Sequence, residues 1–90
     1  MKLKLFKTNQ FKRSFKKCKL KDSEEQAFID VAYKLLNEIP LDTKYCDHPL
    51  KGKYVGFKEC HLKPDLLLVY IIEDGTLKLV DIGSHSELFD

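Results

Sequence analysis

The run LLLVYII at residues 66–72 places the strongest constraint on how this chain can fold. Side chains on a β-strand point alternately to opposite faces, so a strand of this sequence presents apolar side chains on both faces. Such strands are typical of the middle of a sheet, where other elements cover each side. The sequence therefore predicts a buried central strand, around which the rest of the chain is arranged.

A hairpin is predicted directly after this strand. The residues EDGT at 73–76 contain Asp74-Gly75, a pair that favours a two-residue hairpin turn. The segment LKLVDIG at 77–83 is then expected to return as the neighbouring strand, and SHSELF at 84–89 to form a short tail or turn.

A further strand is predicted before the central one, over residues 53–62, with Val55 and Phe57 on one face. The preceding DHPLKG segment at 47–52 is expected to be a loop, because proline and glycine interrupt regular structure there. Pro64 is expected at a strand start, where its missing N–H does least harm.

The N-terminal part of the chain is predicted to contain a short strand and then a helix. The alternating KLKLF at 2–6 predicts the strand, and Thr8 or Asn9 can cap a helix of about residues 10–20. The apolar stripe of this helix has the spacing i, i+4 and i+7 and consists of Phe11, Phe15 and Cys18.

A second helix is predicted to begin at SEEQ (23–26), where Ser23 and Gln26 have the spacing of a capping box. Pro40 is expected to end it. Its predicted buried side consists of Phe28, Val31, Ala32, Leu35 and Ile39.

The resulting order β-α-α-β-β-β predicts an α+β fold. Two N-terminal helices would pack on a four-stranded, mainly antiparallel sheet, with a short C-terminal tail or turn. Ninety residues are expected to form one domain, 1–90, because they can bury one hydrophobic core.

Composition narrows the class of protein. At 43% hydrophobic and 33% charged residues, the chain is typical of globular proteins. No apolar run approaches the roughly 20 residues of a membrane span, and no apolar stretch follows the basic start as a signal peptide requires. Three irregularly placed cysteines disfavour a disulfide framework and fit a reducing compartment. We therefore expect a cytoplasmic protein without membrane contact.

The charge is distributed unevenly along the chain. Residues 1–21 hold eight lysines, Arg13 and no acidic residue, whereas the remaining residues hold seven lysines and fourteen acids. A basic segment on an otherwise acidic chain indicates a polyanionic partner such as RNA, because phosphate contacts use Lys and Arg. A solvated, lysine-rich helix explains the same charges about equally well.

Three histidines lie beside breaks in the predicted elements: His48, His61 and His85. Asp65, at the start of the central strand, could join them at one edge of an antiparallel sheet. Imidazoles titrate near neutrality, so such a group fits general acid–base cleavage of RNA through its own 2′-hydroxyl. From the residues alone, a ribonuclease-like site is a hypothesis.

A zinc site is the rival use of these residue types. Cys46-x-His48 and Cys60-His61 lack the paired spacing of zinc ribbons and fingers. Cys60 and His61 are adjacent on a strand, so they should point to opposite faces. We therefore expect no metal site and no cofactor, and interpret Cys46 and Cys60 as small packing residues.

Three segments, in this order and spacing, resemble the YafQ group of RelE-superfamily toxins: DHPLKG (47–52), ECHLKPDLLLVY (59–70) and IGSHSELF (82–89). The resemblance implies a RelE-like fold and a toxin of a type II toxin–antitoxin pair. It also implies a ribosome-dependent mRNA endonuclease that works without metal. The implied partners are a cognate antitoxin protein, the ribosome and mRNA.

The resemblance also assigns site residues. The matching catalytic positions are His48, His61, Asp65 and His85. Phe89 matches an aromatic residue near the terminus that packs against the site or the codon. The lysines expected to contact phosphate are Lys51, Lys53, Lys58 and Lys63.

The chain departs from the family pattern at three positions. Asp81 stands two residues before the glycine of the last segment, where the family usually has an arginine. Lys58 replaces an arginine of some members, and Leu66 replaces a tryptophan of some relatives. On a regularly alternating strand, Asp81 should share a face with Leu77 and Leu79. These departures keep a second hypothesis open: a catalytically weak or inactive RelE-fold toxin homologue that binds RNA, the ribosome or another target such as gyrase.

Overall fold

The computed structural model describes residues 2–51 and 55–89. Within these ranges the elements follow in this order: β1 (Lys4–Lys7), α1 (Asn9–Cys18), α2 (Asp22–Leu36), a 3-10 helix (Thr43–Tyr45), β2 (His48–Pro49), β3 (Lys58–Lys63), β4 (Leu66–Glu73), β5 (Thr76–Gly83) and α3 (His85–Phe89).

The strands described here form one sheet in the order β1-β5-β4-β3-β2. The predictions of an α+β fold and of a central strand at β4 are confirmed, since β4 pairs antiparallel with both β3 and β5. The predicted count of four strands is wrong, because the expected loop at 47–52 contributes the two-residue edge strand β2. Pro49 is tolerated there because an edge strand needs fewer backbone donors. β1 runs parallel to β5.

The β4–β5 hairpin forms as predicted. Glu73 pairs with Thr76, and the two residues between them, Asp74 and Gly75, have φ angles of 52° and 70°. These left-handed conformations are typical of the turn whose twist matches the flanking strands.

Helix α1 packs on the sheet and contributes Phe11 to the hydrophobic core. The Thr8 side chain accepts a hydrogen bond of 3.0 Å from the backbone N–H of Phe11, so the predicted cap is confirmed. Phe11 is buried, and its ring lies 5.5 Å from Phe15 and 6.0 Å from Phe28 of α2 between centroids. The helix ends at Cys18, slightly earlier than predicted, where Lys19 turns to a φ of 49°.

Both predicted ends of α2 are wrong. The helix begins after Lys21, whose backbone N–H donates to the Glu24 carboxylate at 2.8 Å, so the Ser23–Gln26 pair is not the capping box. It ends at Leu36 rather than at Pro40, because Glu38 adopts a left-handed φ of 56°. Ile39 consequently lies outside the helix and is exposed rather than buried.

The predicted strand over 53–62 begins late. Val55 and Gly56 form a turn, and regular β3 starts at Lys58. Gly56 has a φ of 95°, a conformation that few other residues adopt. Residues 53 and 54 of that prediction lie outside the described residues.

The expected C-terminal tail is a short helix, α3. The backbone N–H of Ser84 donates to the Glu87 carboxylate at 2.8 Å, and the Glu87 N–H donates to Ser84 Oγ at 3.3 Å. This is a capping box, written in the sequence as S-x-x-E. Gly83 lets the helix pack closely, because a Cβ there would lie 3.0 Å from Glu87.

The two faces of the sheet differ in what covers them. One face packs on α1 and α2, and its core residues include Cys60 and Leu62 of β3 and Leu68 and Tyr70 of β4. The opposite face carries the polar residues described below. Among the described residues, no helix has the length and apolar character that a membrane crossing requires.

A bulge in β5 decides the direction of Asp81. Tyr70 pairs with Leu79, but its neighbour Val69 pairs with Asp81, so Val80 is an extra residue on β5. Leu77 and Leu79 stay in the core, whereas Asp81 moves to the face of Val69. The prediction that Asp81 shares a face with Leu77 and Leu79 is therefore wrong.

Candidate active site

Strand register brings the polar residues together on the face opposite α1 and α2. His48 pairs with Glu59, Glu59 with Val69, and Val69 with Asp81, which makes one row across four strands. In the next row, His61 pairs with Leu67 and Leu67 with Gly83, just before α3. Directly paired residues share a face, so both rows lie on this surface.

Glu59 is the buried acid of this surface. Its side chain is 6% exposed, and its Oε1 lies 2.9 Å from His48 Nε2 and 3.8 Å from His61 Nε2. Its second oxygen, Oε2, is buried without a hydrogen-bond partner among the described residues. A buried carboxylate is costly unless it is paired, so the contacts with two imidazoles are the compensation the structure provides. Glu59 was not predicted as a site residue, although the alternation Glu59-Cys60-His61 places it on the face of His61.

His85 and Asp65 form a second histidine–carboxylate pair. Asp65 lies in the turn between β3 and β4, and His85 is the first residue of α3. The Asp65 carboxylate accepts the backbone N–H of His85 at 3.1 Å and lies 3.4 Å from its ring Nδ1. These hydrogen bonds, the backbone one above all, lower the pKa of Asp65.

The rings form a continuous line on this face. The centroids of His48 and His61 are 6.2 Å apart, those of His61 and His85 are 5.7 Å apart, and those of His85 and Phe89 are 6.1 Å apart. The structure thus gathers the four predicted catalytic residues and Phe89 around one place. Whether they act on a substrate stays a prediction.

The predicted phosphate-binding lysines are more scattered. Lys51 is exposed near β2, and Lys63 is half-buried at the end of β3, on the strand that carries His61. Lys58 shares a face with Tyr70, and its amine lies 2.9 Å from the Asp47 carboxylate. It therefore faces away from the line of rings. Lys53 lies outside the described residues.

Asp47 fixes the segment that carries His48. One of its carboxylate oxygens accepts the hydrogen bond of Lys58, and the other accepts that of the buried Tyr70 hydroxyl. Burial, together with this bond, raises the pKa of Tyr70, so the hydroxyl remains a donor. The residue before His48 is thus bound to β3 and β4 on the other face of the sheet.

Asp81 does not contact the histidines in the described residues. Its Oδ2 accepts a hydrogen bond of 2.6 Å from Gln10 of α1, and its Oδ1 accepts the Ile82 N–H at 2.8 Å. It lines a small cavity together with Val69 and Phe89. Asp81 therefore lies at the border of the line of rings, held by α1.

The cysteines differ from one another. Cys60 is fully buried in the core, which agrees with the packing interpretation, and burial raises the pKa of its thiol to about 12. Such a thiol is a poor nucleophile at neutral pH. Cys46 is exposed, so its interpretation as a packing residue is wrong.

One group of side chains has the arrangement of metal ligands. Ligand atoms of His48, Glu59 and His61 all lie within 4.8 Å of one another. This set was not predicted from the sequence, where only the pairs Cys46-x-His48 and Cys60-His61 were weighed as metal ligands and Glu59 was not included.

The fold and this surface define a class: a small α+β protein with paired histidines and carboxylates suited to acid–base chemistry. Residues 3–90 match the family described as bacterial toxin of type II toxin-antitoxin system, YafQ. The chain belongs to this family, which confirms the resemblance seen in the sequence.

Known relatives agree with this membership. The mRNA interferase toxin YafQ of Escherichia coli (strain K12) is 40% identical over 53 residues, which are 59% of this chain and 58% of that relative. The alignment thus spans less than two thirds of the relative's length.

Solved structures extend the likeness to the whole fold. A metal-bound toxin from Helicobacter pylori is 46% identical, with a TM-score of 0.85 over 97% of this chain and 99% of that chain. The E. coli DinJ-YafQ complex gives 28% identity and a TM-score of 0.85, over 98% and 99% of the two chains.

Proposed function

We propose that this protein is an endoribonuclease that cleaves mRNA on the ribosome by acid–base catalysis. The observation that carries the proposal is the line of three imidazoles, each within about 6 Å of the next, held by carboxylates at both ends. The naming of the E. coli relative as an mRNA interferase supports the same activity.

The reaction needs one group to accept a proton and another to donate one. The RNA 2′-oxygen attacks phosphorus and loses its proton, the bond from phosphorus to the 5′-oxygen breaks, and that oxygen gains a proton. The products are a 2′,3′-cyclic phosphate and a 5′-hydroxyl. Imidazoles suit both transfers near neutral pH, and each transfer typically contributes about 10²- to 10⁴-fold in rate.

The two histidine–carboxylate pairs are the groups available for these transfers. Asp65 holds the Nδ1 side of His85, which leaves Nε2 for the substrate. Glu59 holds His48 and stands behind His61. A phosphate bound over the exposed edges of His61 and His85 would meet both histidine–carboxylate pairs, and a carboxylate behind each ring stabilises the imidazolium that forms. No step here needs a metal ion.

The substrate and partners follow from this chemistry. Only RNA supplies the internal 2′-hydroxyl, and the basic segment at residues 1–21 supplies charge for ribosomal RNA. The E. coli relative was crystallised with DinJ. We infer that a cognate antitoxin protein binds and silences this chain, and that this chain acts in the cytoplasm, where ribosomes are.

Asp81 favours the second candidate, a toxin homologue that binds without cleaving. Its carboxylate lies in the row of His48 and Glu59, where a cation would better hold a phosphate. Translation of a defined message, with the purified protein added and the RNA mapped by primer extension, separates the two functions. The endonuclease cuts the message within codons on the ribosome. Inhibited translation with an intact message would instead establish the binding function.

A further inference from the structure

A groove of about 790 Å³ lies between the first turns of α2, the 3-10 helix and the end of β3. His61 forms part of its wall, so the groove adjoins the line of rings at this residue. Phe89, at the other end of that line, borders a different cavity with Val69 and Asp81. The two cavities therefore adjoin the candidate site at different places.

The groove is open because β2 is short. β2 pairs with Lys58 and Glu59, so within the described residues the following part of β3, 61–63, has no strand on its outer side. Tyr45 of the 3-10 helix is buried at the base, where its hydroxyl donates to the Asp30 carboxylate at 2.8 Å. The free edge of β3 and the start of α2 remain as the two walls.

The side chains of the groove suit a nucleotide. Lys44 and Lys63 contribute amines, while the acid of the groove, Asp30, is already engaged by Tyr45 and by Lys34 at 3.5 Å. Gln26 adds an amide, which can donate to and accept from the edge of a base. The volume falls in the range of about 300–1,000 Å³ that is typical of small-ligand sites.

We propose that this groove is a subsite for a nucleotide of the RNA strand next to the scissile bond, on the side away from Phe89. Lys44 and Lys63 neutralise backbone phosphates, and Gln26 contacts the base. An acidic peptide would also meet the two lysines, but continuity with His61 and the amide of Gln26 favour RNA. The inference rests on the proposed function, since it takes His61 as part of the cleavage site.

Binding of single-stranded 2′-O-methyl RNA tests the subsite without cleavage, because its nucleophile is blocked. Its affinity should be measured by fluorescence anisotropy across a salt series for the unmodified protein and for the Lys44→Gln/Lys63→Gln variant. Each phosphate contact on a single strand contributes about 0.7 to the slope of log affinity against log salt. The double variant should therefore lower that slope by about 1.4.

Lys78→Gln is the matched control, because Lys78 pairs with Glu73 at the far hairpin and should leave the slope unchanged. A 4-thiouridine next to the scissile position should also cross-link to the groove, and Gln26→Ala should weaken that cross-link. An unchanged slope in the double variant, or cross-links confined to other elements, would overturn the subsite. The subsite would also be overturned if an acidic peptide displaced the RNA while the double variant bound RNA as tightly as the unmodified protein. If the double variant lowers the salt slope as expected but the unmodified protein does not cleave message, only the proposed function would be contradicted.

Discussion

The hydrogen bonds of Asp47 give its neighbour His48 a fixed place at the edge of the sheet. Asp47 is bound by Lys58 and by the buried Tyr70 hydroxyl, and both donors lie on the face opposite the imidazoles. His48 then meets Glu59 at 2.9 Å. A small displacement of a catalytic group costs much of its effect, so this anchoring bears on rate as well as on stability.

Tyr70→Phe should reduce the cleavage rate by about tenfold to 10²-fold, because it removes one of the two hydrogen bonds that hold Asp47 while the ring stays in the core. The measurement is a double-mutant cycle with His48→Ala in single-turnover assays, together with thermal melts. If Tyr70 acts through His48, Tyr70→Phe costs nothing further once His48 is absent. Tyr33→Phe is the control, since Tyr33 is 60% exposed. An equal loss in both backgrounds would show a general structural effect instead.

Among the individual residues of the candidate site, most were predicted from the sequence, but Glu59 was not. His48, His61, Asp65 and His85 stand in short motifs beside turns, and the register of the sheet brings them together. Glu59 was missed because a glutamate inside a strand is ordinarily a solvent-facing residue. Its burial depends on pairing with β2. That strand was not predicted, because Pro49 and Gly52 made the segment 47–52 look like a loop.

Helix α1 has one side packed in the core and one side of exposed lysines. Its lysines are exposed, as an RNA-binding surface requires, yet Phe11 is 1% exposed and packs against Phe15 and Phe28. Thr8 also ties the helix start to β5 through the carbonyl oxygens of Leu79 and Val80. The segment therefore contributes to the fold through its apolar side, while RNA binding by its lysines stays a prediction.

Changing Lys12, Lys16 and Lys19 together to glutamine should weaken ribosome binding and lower its salt dependence by a slope of about two. The free energy of unfolding should change little, because these side chains are exposed. Phe11→Ala in α1 is the contrasting variant and should lower the free energy of unfolding by about 3–5 kcal/mol. Sedimentation with ribosomes and denaturant titration measure the two effects. Unchanged affinity across the salt series would leave the lysines with no part in binding.

The elements that differed from expectation did so for local reasons. A single extra residue, Val80, reversed the face of Asp81, and alternation counted along a strand cannot reveal such a bulge. The helix α3 could have been predicted from the sequence, since Ser84 and Glu87 have the spacing of a capping box. Five residues are otherwise too few to show helical periodicity.

For the whole molecule, the sequence predicted the α+β class and the central position of β4, because seven consecutive apolar residues leave few alternatives. The parallel pairing of β1 with β5 and the edge strand β2 depend on contacts distant in sequence, which local patterns do not contain. The arrangement explains the architecture of the site: helices cover one face, and the other is left for the line of rings.

The most direct test of acid–base cleavage is the single-turnover rate at which His85→Ala cuts ribosome-bound message. His85 is 57% exposed, so the variant should melt at the temperature of the unmodified protein. The rate should fall by about 10²- to 10⁴-fold, as expected for loss of one proton-transfer group. Ser86→Ala, its neighbour on α3, should cut at the unmodified rate. A His85→Ala protein that is folded and cuts as fast as the unmodified protein would contradict the account.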